Sequence, residues 1–296
     1  MSVAVCIATY RRPAQLAALL GALADLDATG SLRIAIADND VDGSARAVVD
    51  AAREKLPFPI AYAVEPERNI SLARNRAIQL ALDDGAEWLA FIDDDEVPHR
   101  AWLAELLRVQ RMTGADVVTG PVAARVPAES PRWLRAAFPR DRRLASGTPV
   151  PLAETANALV SRAVIERIAA ATRGPFEPQF GLSGGGDSRF FLRARVGGAR
   201  IVWASDAIVE EDVPPSRVRV GWVLRRAYRE GNGGAFVERG VLPAWRWIPR
   251  RVAAAGAHLM QGTALLFVSP VRGLRLLAHA IGSLAGTLGI RYFEYR

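Results

Sequence analysis

Short apolar runs alternate along the chain with segments whose leucines recur at three- and four-residue spacing. Residues 2–8 (SVAVCIA), 32–37 (LRIAIA), 60–64 (IAYAV) and 88–92 (WLAFI) are too short and too apolar for surface helices, and they read as buried strands. Leu16, Leu19, Leu20 and Leu23 mark a helix after the first run. Residues 45–55, closed by Pro57 and Pro59, mark a second, and residues 72–82 a third. Strand then helix, repeated, predicts an α/β domain with a mostly parallel, doubly wound sheet and right-handed crossovers. Downstream, Trp102, Leu103, Leu106 and Leu107 share a helix, and residues 116–122 read as one more strand. The Pro- and Arg-rich stretch 127–151 reads as a long irregular excursion. Residues 155–160 return to the sheet, a helix runs through Ile168, and a Gly-rich loop at 181–187 opens a helix over 188–195. A strand at 201–203, a turn at Pro214-Pro215 and a helix over 218–229 complete the pattern.

In such sheets ligands bind beyond the carboxyl ends of the strands. Three loops meet that criterion: 9–12, 38–44 and 93–96. All are polar, and the last is the run Asp93-Asp94-Asp95-Glu96, set directly behind WLAFI. Four adjacent like charges repel one another. A bound cation relieves the repulsion, and oxygen-only ligands suit Mg²⁺ or Mn²⁺. A solvated acidic turn leading into a helix is the alternative at this point.

Composition narrows the setting. The 296 residues are 50% hydrophobic and 23% charged, which describes a globular chain. The single cysteine, Cys6, permits no disulfide within the chain and reads as a small core residue in a reducing compartment. The first residues enter a strand at once, so no secretory leader is expected. The net charge of +7 is concentrated: beyond residue 240 there are seven arginines and one acid, Glu294, which leaves +6 in the tail and +1 elsewhere. The basic balance is therefore no argument for nucleic acid as a partner. Within the tail, residues 252–268 and 274–290 are apolar, interrupted by polar residues and flanked by arginines. They predict helices lying at, or dipping into, an anionic membrane surface rather than two spans, with a helical pair packed on the main domain as the alternative. The expected division is a catalytic domain over 1–235 and a basic, membrane-associating helical segment over 236–296.

The ordered series VCIATYRRP (5–13), Asp38-Asn39-Asp40 with Asp42-Gly43-Ser44, NISLARN (69–75), FIDDDE (91–96), Gly120-Pro121-Val122, Asn157, SGGGDSRFFLR (183–193) and residues 206–215 resembles a family-2 glycosyltransferase of the GT-A fold. Within that family it is most similar to bacterial exopolysaccharide enzymes of the succinoglycan type. The resemblance covers residues 2–235. It implies a nucleotide-sugar site in which the loop of Thr9, Tyr10 and Arg12, together with Asp38 and Asn39, receives the nucleotide. Asp93 and Asp95 match the D-x-D acids: Asp95 ligates the divalent metal, Asp93 reaches ribose or metal, and Asp94 is counted with the donor contacts although it and Glu96 also read as loop or helix-start residues. Arg74, in the A-R-N element, lies near the diphosphate. Asp187 matches the last acid of G-G-E-D and is the implied general base, with helix capping as its plain alternative. Gly186 replaces that motif's Glu, which puts acceptor handling in doubt, and Asn69 stands where many relatives have Gly. Gly185, Gly186, Glu211 and Arg226 are candidate acceptor or diphosphate contacts.

The expected activity is that of a metal-dependent, inverting hexosyltransferase. It would move a hexose, glucose from UDP-glucose foremost, to a polyprenyl-linked or other glycan acceptor at the inner face of the cytoplasmic membrane. The rival from another class is a non-catalytic sugar-nucleotide or glycan-binding protein that keeps the fold, to which Gly186 points. A dinucleotide-binding dehydrogenase is disfavoured, because no G-x-G-x-x-G follows the first strand.

Overall fold

The computed structural model describes residues 1–27, 31–135, 137–138, 144–172 and 174–293. The chain divides into two compact units. The first comprises Met1–Ala123, Asp141–Gly181 and Arg193–Glu211; the second comprises Ala124–Arg140, Leu182–Leu192 and Asp212–Arg296.

The first unit is built on a seven-stranded sheet. Its opening elements are β1 (Ser2–Thr9), α1 (Pro13–Ala24), β2 (Ser31–Asp38), α2 (Arg46–Arg53), β3 (Ile60–Val64), α3 (Ile70–Asp83) and β4 (Trp88–Phe91). Then come β5 (Glu96–Pro98), α4 (Trp102–Thr113), β6 (Val117–Thr119) and β7 (Val122–Arg125). β8 (Ala158–Ser161), α6 (Arg162–Ala171), β9 (Ile201–Trp203) and most of β10 (Val209–Asp212) complete this unit, whereas the short α5 (Arg132–Arg135) and most of α7 (Gly186–Val196) belong to the second. The strand order is β3-β2-β1-β4-β8-β6-β9. All neighbours are parallel except β8, which runs against both β4 and β6. The expected sheet is thus present with one reversed strand. A second sheet has the order β5-β10-β7.

Local chemistry accounts for the elements. Leu16, Leu19, Leu20 and Leu23 on α1 are all buried, and each such side chain contributes about 1.5–3 kcal/mol by leaving water. Asn69 caps α3 by accepting from the amides of Ser71 and Leu72, and Gly114 closes α4 at φ 64°. The stretch 116–122, expected as one strand, is two strands in different sheets. They part at Gly120-Pro121: Pro lacks a ladder donor, and a Cβ on Gly120 would lie 2.4 Å from the Ala207 carbonyl oxygen. The stretch 127–151 holds α5 and a bridge from Pro149 to Val202, while residues 136 and 139–143 lie outside the described residues.

Asn157, buried beside that break, accepts from the Trp102 indole at 2.8 Å. It also donates to the carbonyls of Pro121 and Ala207 at 2.9 and 2.7 Å. Asn157→Leu leaves an indole N–H and two carbonyls without these partners. The expected loss is about 3 kcal/mol of unfolding free energy, measured as a lowered denaturant midpoint with an unchanged slope.

In the second unit the helix after Pro214-Pro215, α8 (Val220–Glu238), runs past residue 235. It is followed by α9 (Ala244–Leu265) and α10 (Pro270–Thr287). α10 packs closely on α8: a Cβ on Gly231 would fall 2.1 Å from the His279 carbonyl oxygen, and one on Gly282 would fall 2.1 Å from that of Tyr228. Among the described residues no helix is long and apolar enough to cross a membrane.

Candidate active site

The acidic run leaves the sheet at the carboxyl end of β4, beside the end of β1. Thr9, the last residue of β1, donates from its hydroxyl to Asp94 Oδ2 at 2.8 Å. Arg12 donates to Asp94 Oδ1 and to Asp95 Oδ2, both at 2.9 Å. Burial pushes the Asp94 carboxyl up, against the opposing pull of Arg12 and Thr9. Burial alone would lower the Arg12 guanidinium, yet Asp94 and Asp95 hold it above its usual value. Asp93 takes a different partner, accepting from Arg74 at 3.2 Å, and the Arg74 guanidinium lies 5.7 Å from the Phe176 ring centre. The run is therefore divided: Asp94 points inward to fasten two strand ends, while Asp93 and Asp95 meet separate arginines.

Glu96 departs from the loop or helix start expected of it. It opens β5, pairs in register with Glu211 of β10, and accepts from the Asp93 amide at 2.8 Å. It is buried and faced by Asp93, Asp95 and Glu211, so its carboxyl is pushed well above the usual range. Glu211, a candidate contact by sequence, thus stands beside the acidic run in the antiparallel pair of β10 and β5.

The loop after β2 is held by its own acids. Asp38, expected at the nucleotide base, is fully buried. Its oxygens accept from the amides of Asp40 and Ala45 at 3.0 and 2.8 Å and from the Tyr62 hydroxyl at 2.9 Å. Burial, then this hydrogen bond, pushes the Tyr62 phenol up to about 12. Asn39 donates to the carbonyls of Glu65 and Glu67 and accepts from the Asn69 amide, tying the end of β2 to the start of α3. Both residues shape the floor of the loop. Arg11 stands over it at φ 53°, a conformation costing an ordinary residue about 1–3 kcal/mol. Its guanidinium is fixed on Asp40 at 3.1 and 3.2 Å, and that pairing holds the Asp40 carboxyl below its usual range. The Tyr10 ring has the guanidiniums of Arg11 and Arg68 at 5.3 and 5.1 Å from its centre.

A small cleft opens between Arg74 and Asp93, floored by Cys6, Ala77, Phe91 and Ile92 and walled by Thr155. Thr155 is buried, and its hydroxyl has no hydrogen-bond partner among the described residues. Sequence reasoning missed it. The reversal of β8 is the signal: Phe91 pairs with Ala158, so residues preceding β8 lie at the edge that residues following β4 reach.

Asp187, Gly185, Gly186 and Arg226 belong to the second unit. Gly184 and Gly185 take φ 75° and 86°, a region that favours glycine, and α7 starts at Gly186. Asp187 is therefore inside the first turn rather than at the cap, with Oδ1 accepting from the Ser188 amide at 2.8 Å. Arg291 reaches this Gly-rich loop and donates to the Ser183 hydroxyl at 2.9 Å. Arg226 lies on α8, paired with Glu230 at 2.8 Å and placed over the Trp222 ring.

No group of three or more His, Cys, Asp or Glu among the described residues is placed to hold a metal. The two carboxylates expected from the sequence to meet a metal, Asp93 and Asp95, are an oxygen-only pair that here accept from Arg74 and Arg12. The pair fits a hard cation that completes its shell with water and substrate phosphates, as Mg²⁺ sites commonly do.

Comparisons with known proteins bear on the family and the fold. The model for "Glycosyl transferase family 2" matches residues 4–169, and that for "Glycosyl transferase family group 2" matches residues 88–293. The chain is 36% identical over 309 residues to the succinoglycan biosynthesis protein ExoM of Rhizobium meliloti (strain 1021), covering 99% of this chain and 94% of that protein. Among solved structures it is similar to the mannosyltransferase PcManGT from Pyrobaculum calidifontis, in complex with GDP-Man and Mn²⁺. That match has a TM-score of 0.64 and 20% identity over 95% of this chain and 86% of the other. It is also similar to S. aureus TarS, with a TM-score of 0.55 and 13% identity. There it covers 96% of this chain but spans only 55% of the TarS chain. Over the 1–349 portion of TarS in complex with UDP-GlcNAc, the TM-score is 0.56, with 13% identity and 98% and 92% coverage. The fold is therefore of the GT-A type, and by the span of the family models and the identity to its full-length relative this chain belongs to glycosyl transferase family 2.

Proposed function

We propose that this chain is a metal-dependent, inverting glycosyltransferase of exopolysaccharide assembly. In this reading it moves a hexose, glucose from UDP-glucose, to a polyprenyl-linked oligosaccharide or related glycan at the inner face of the cytoplasmic membrane. The observation that carries it is the divided acidic run: Asp94 is consumed by Thr9 and Arg12, which leaves Asp93 and Asp95 as the carboxylates at the edge of β4. The similarity to a succinoglycan biosynthesis protein supports the pathway class, and the neighbour solved with GDP-Man and Mn²⁺ supports the donor class and the cation.

Asp95 and Asp93 would hold Mg²⁺ or Mn²⁺, which when bound offsets charge on the leaving diphosphate. Arg74 orients the diphosphate, and Arg12 keeps Asp95 aimed. The loop floored by Asp38 and Asn39 receives the nucleotide beside Tyr10. Asp187 takes the proton from the acceptor hydroxyl as its oxygen bonds to the anomeric carbon. The bond from that carbon to the diphosphate oxygen breaks, and the nucleoside diphosphate leaves with the electron pair. Attack from the face opposite the leaving group inverts the anomeric centre. Gly186 leaves acceptor positioning to Asp187 and its loop without a second acid.

The test is transfer of labelled glucose from UDP-glucose to a bacterial membrane lipid extract. Label is expected in the organic phase with Mn²⁺ present and absent from it with EDTA. Donor binding without transfer, over a panel of sugar nucleotides and acceptors, would favour a binding protein instead.

A further inference from the structure

The exposed face of α9 has no role in the site. Trp245, Val252, Met260 and Phe267 are 76%, 48%, 72% and 89% exposed. The spacings of seven and eight residues bring Trp245, Val252 and Met260 back to the same side of a helix with 3.6 residues per turn, and Phe267 lies in the turn just past the helix end. Ala253, Ala264 and Pro249 are exposed in the same arc, and Val268 continues it past the helix end at 83% exposure. The opposite side is inward: Trp247, Ala255 and Gly262 are buried. The outer side of this helix carries large apolar groups from Trp245 to Met260, roughly 22 Å at 1.5 Å per residue. The charge beside it is mostly basic, with Glu238 of α8 paired to Arg250 and Arg251. Residues 241–293 contain six arginines and no acid. Arg246 is exposed on the flank of the stripe and Arg272 just beyond the turn into α10, while Arg250, also exposed, is paired with Glu238.

We propose that α9 lies flat on an anionic bilayer, with Trp245, Val252 and Met260, and Phe267 in the turn after it, entering the headgroup–acyl boundary and Arg246 and Arg272 meeting lipid phosphates. Apolar stripe and basic flank together are what an interfacial helix needs, and charge complementarity selects an anionic lipid surface over a neutral protein one. The inference deepens the membrane-associated reading above and names the surface responsible.

Vesicle flotation with the full chain tests it without any enzyme assay. Wild type is expected to float with vesicles of equal parts phosphatidylglycerol and phosphatidylcholine, weakly with phosphatidylcholine alone, and less as salt rises. The triple variant Trp245→Gln, Met260→Gln, Phe267→Gln replaces only exposed side chains. It is expected to keep its thermal unfolding midpoint and its nucleotide-sugar binding while its partition to anionic vesicles falls about tenfold or more. Flotation of the triple variant equal to wild type would overturn the proposal, as would wild type that fails to float or floats on neutral vesicles equally. A wild-type dimer that the triple variant loses, without vesicle binding, would reassign the stripe to a second copy and also overturn it. A chain that floats as expected yet transfers no sugar would reject the enzymatic reading and leave this surface standing.

Discussion

Asp187→Asn is expected to lower sugar transfer by about 10²–10⁴-fold, the range supplied by a positioned proton acceptor, with donor binding unchanged. The substitution is nearly isosteric. The one contact of Asp187 described above, acceptance from the Ser188 amide at 2.8 Å, can be kept by the amide oxygen of Asn. What disappears is the carboxylate that the proposed mechanism uses as proton acceptor. The loss should therefore fall on kcat and leave the KM for donor in place. Initial rates at saturating donor, with nucleotide release followed in parallel, measure it. A kcat within twofold of wild type would reduce Asp187 to a residue of the first helical turn.

Asp95→Ala is expected to have an effect of similar size and opposite signature. Removing one preorganised electrostatic partner of a leaving group costs about 10²–10³ in rate. In the proposed site the same carboxylate would also hold the cation, so donor affinity in Mn²⁺ should fall as well. The fold should survive, because Asp95 is part-exposed and Arg12 keeps its 2.9 Å contact with Asp94. Asp94→Ala separates the two roles. It removes the acceptor shared by Thr9 and Arg12, so it should lower stability as well as activity.

The contrast between neighbouring acids shows what the sequence makes legible. That the chain leaves the sheet at residues 93–96 follows from pattern alone, since four acids directly behind WLAFI mark the point where a buried strand meets solvent; the choice between a ligand edge and a solvated turn came from the ordered series of motifs. Which acid is spent on the fold does not follow. Asp38 and Asp94 are chemically suited to a ligand, but their oxygens go to backbone amides, Tyr62, Thr9 and Arg12, partners up to 85 residues away. Glu96 is polar and adjacent to the run, yet pairing with β10 draws it into a buried strand. The reversal of β8 was equally hidden. A four-residue apolar run carries no direction, so Thr155 was not expected at the edge occupied by Asp93. The break at Gly120-Pro121 was readable in principle, because Pro interrupts a ladder. The apolar run on either side of it outweighed that signal. In the C-terminal segment, helices and basic charge were both legible. The glycine contacts that pack α10 on α8 were not, because they depend on which backbone each glycine meets.

The central claim is that Asp93 and Asp95 form a cation-dependent diphosphate site. Calorimetric titration of UDP and UDP-glucose into wild type and Asp95→Ala, each in Mn²⁺ and in EDTA, addresses it directly. Wild type should bind at least about tenfold more tightly in Mn²⁺ than in EDTA, a coupling of about 1.4 kcal/mol, and Asp95→Ala should show the weak, EDTA-like affinity in both. Binding by wild type that ignores EDTA, or Asp95→Ala that binds in Mn²⁺ as tightly as wild type, would contradict it.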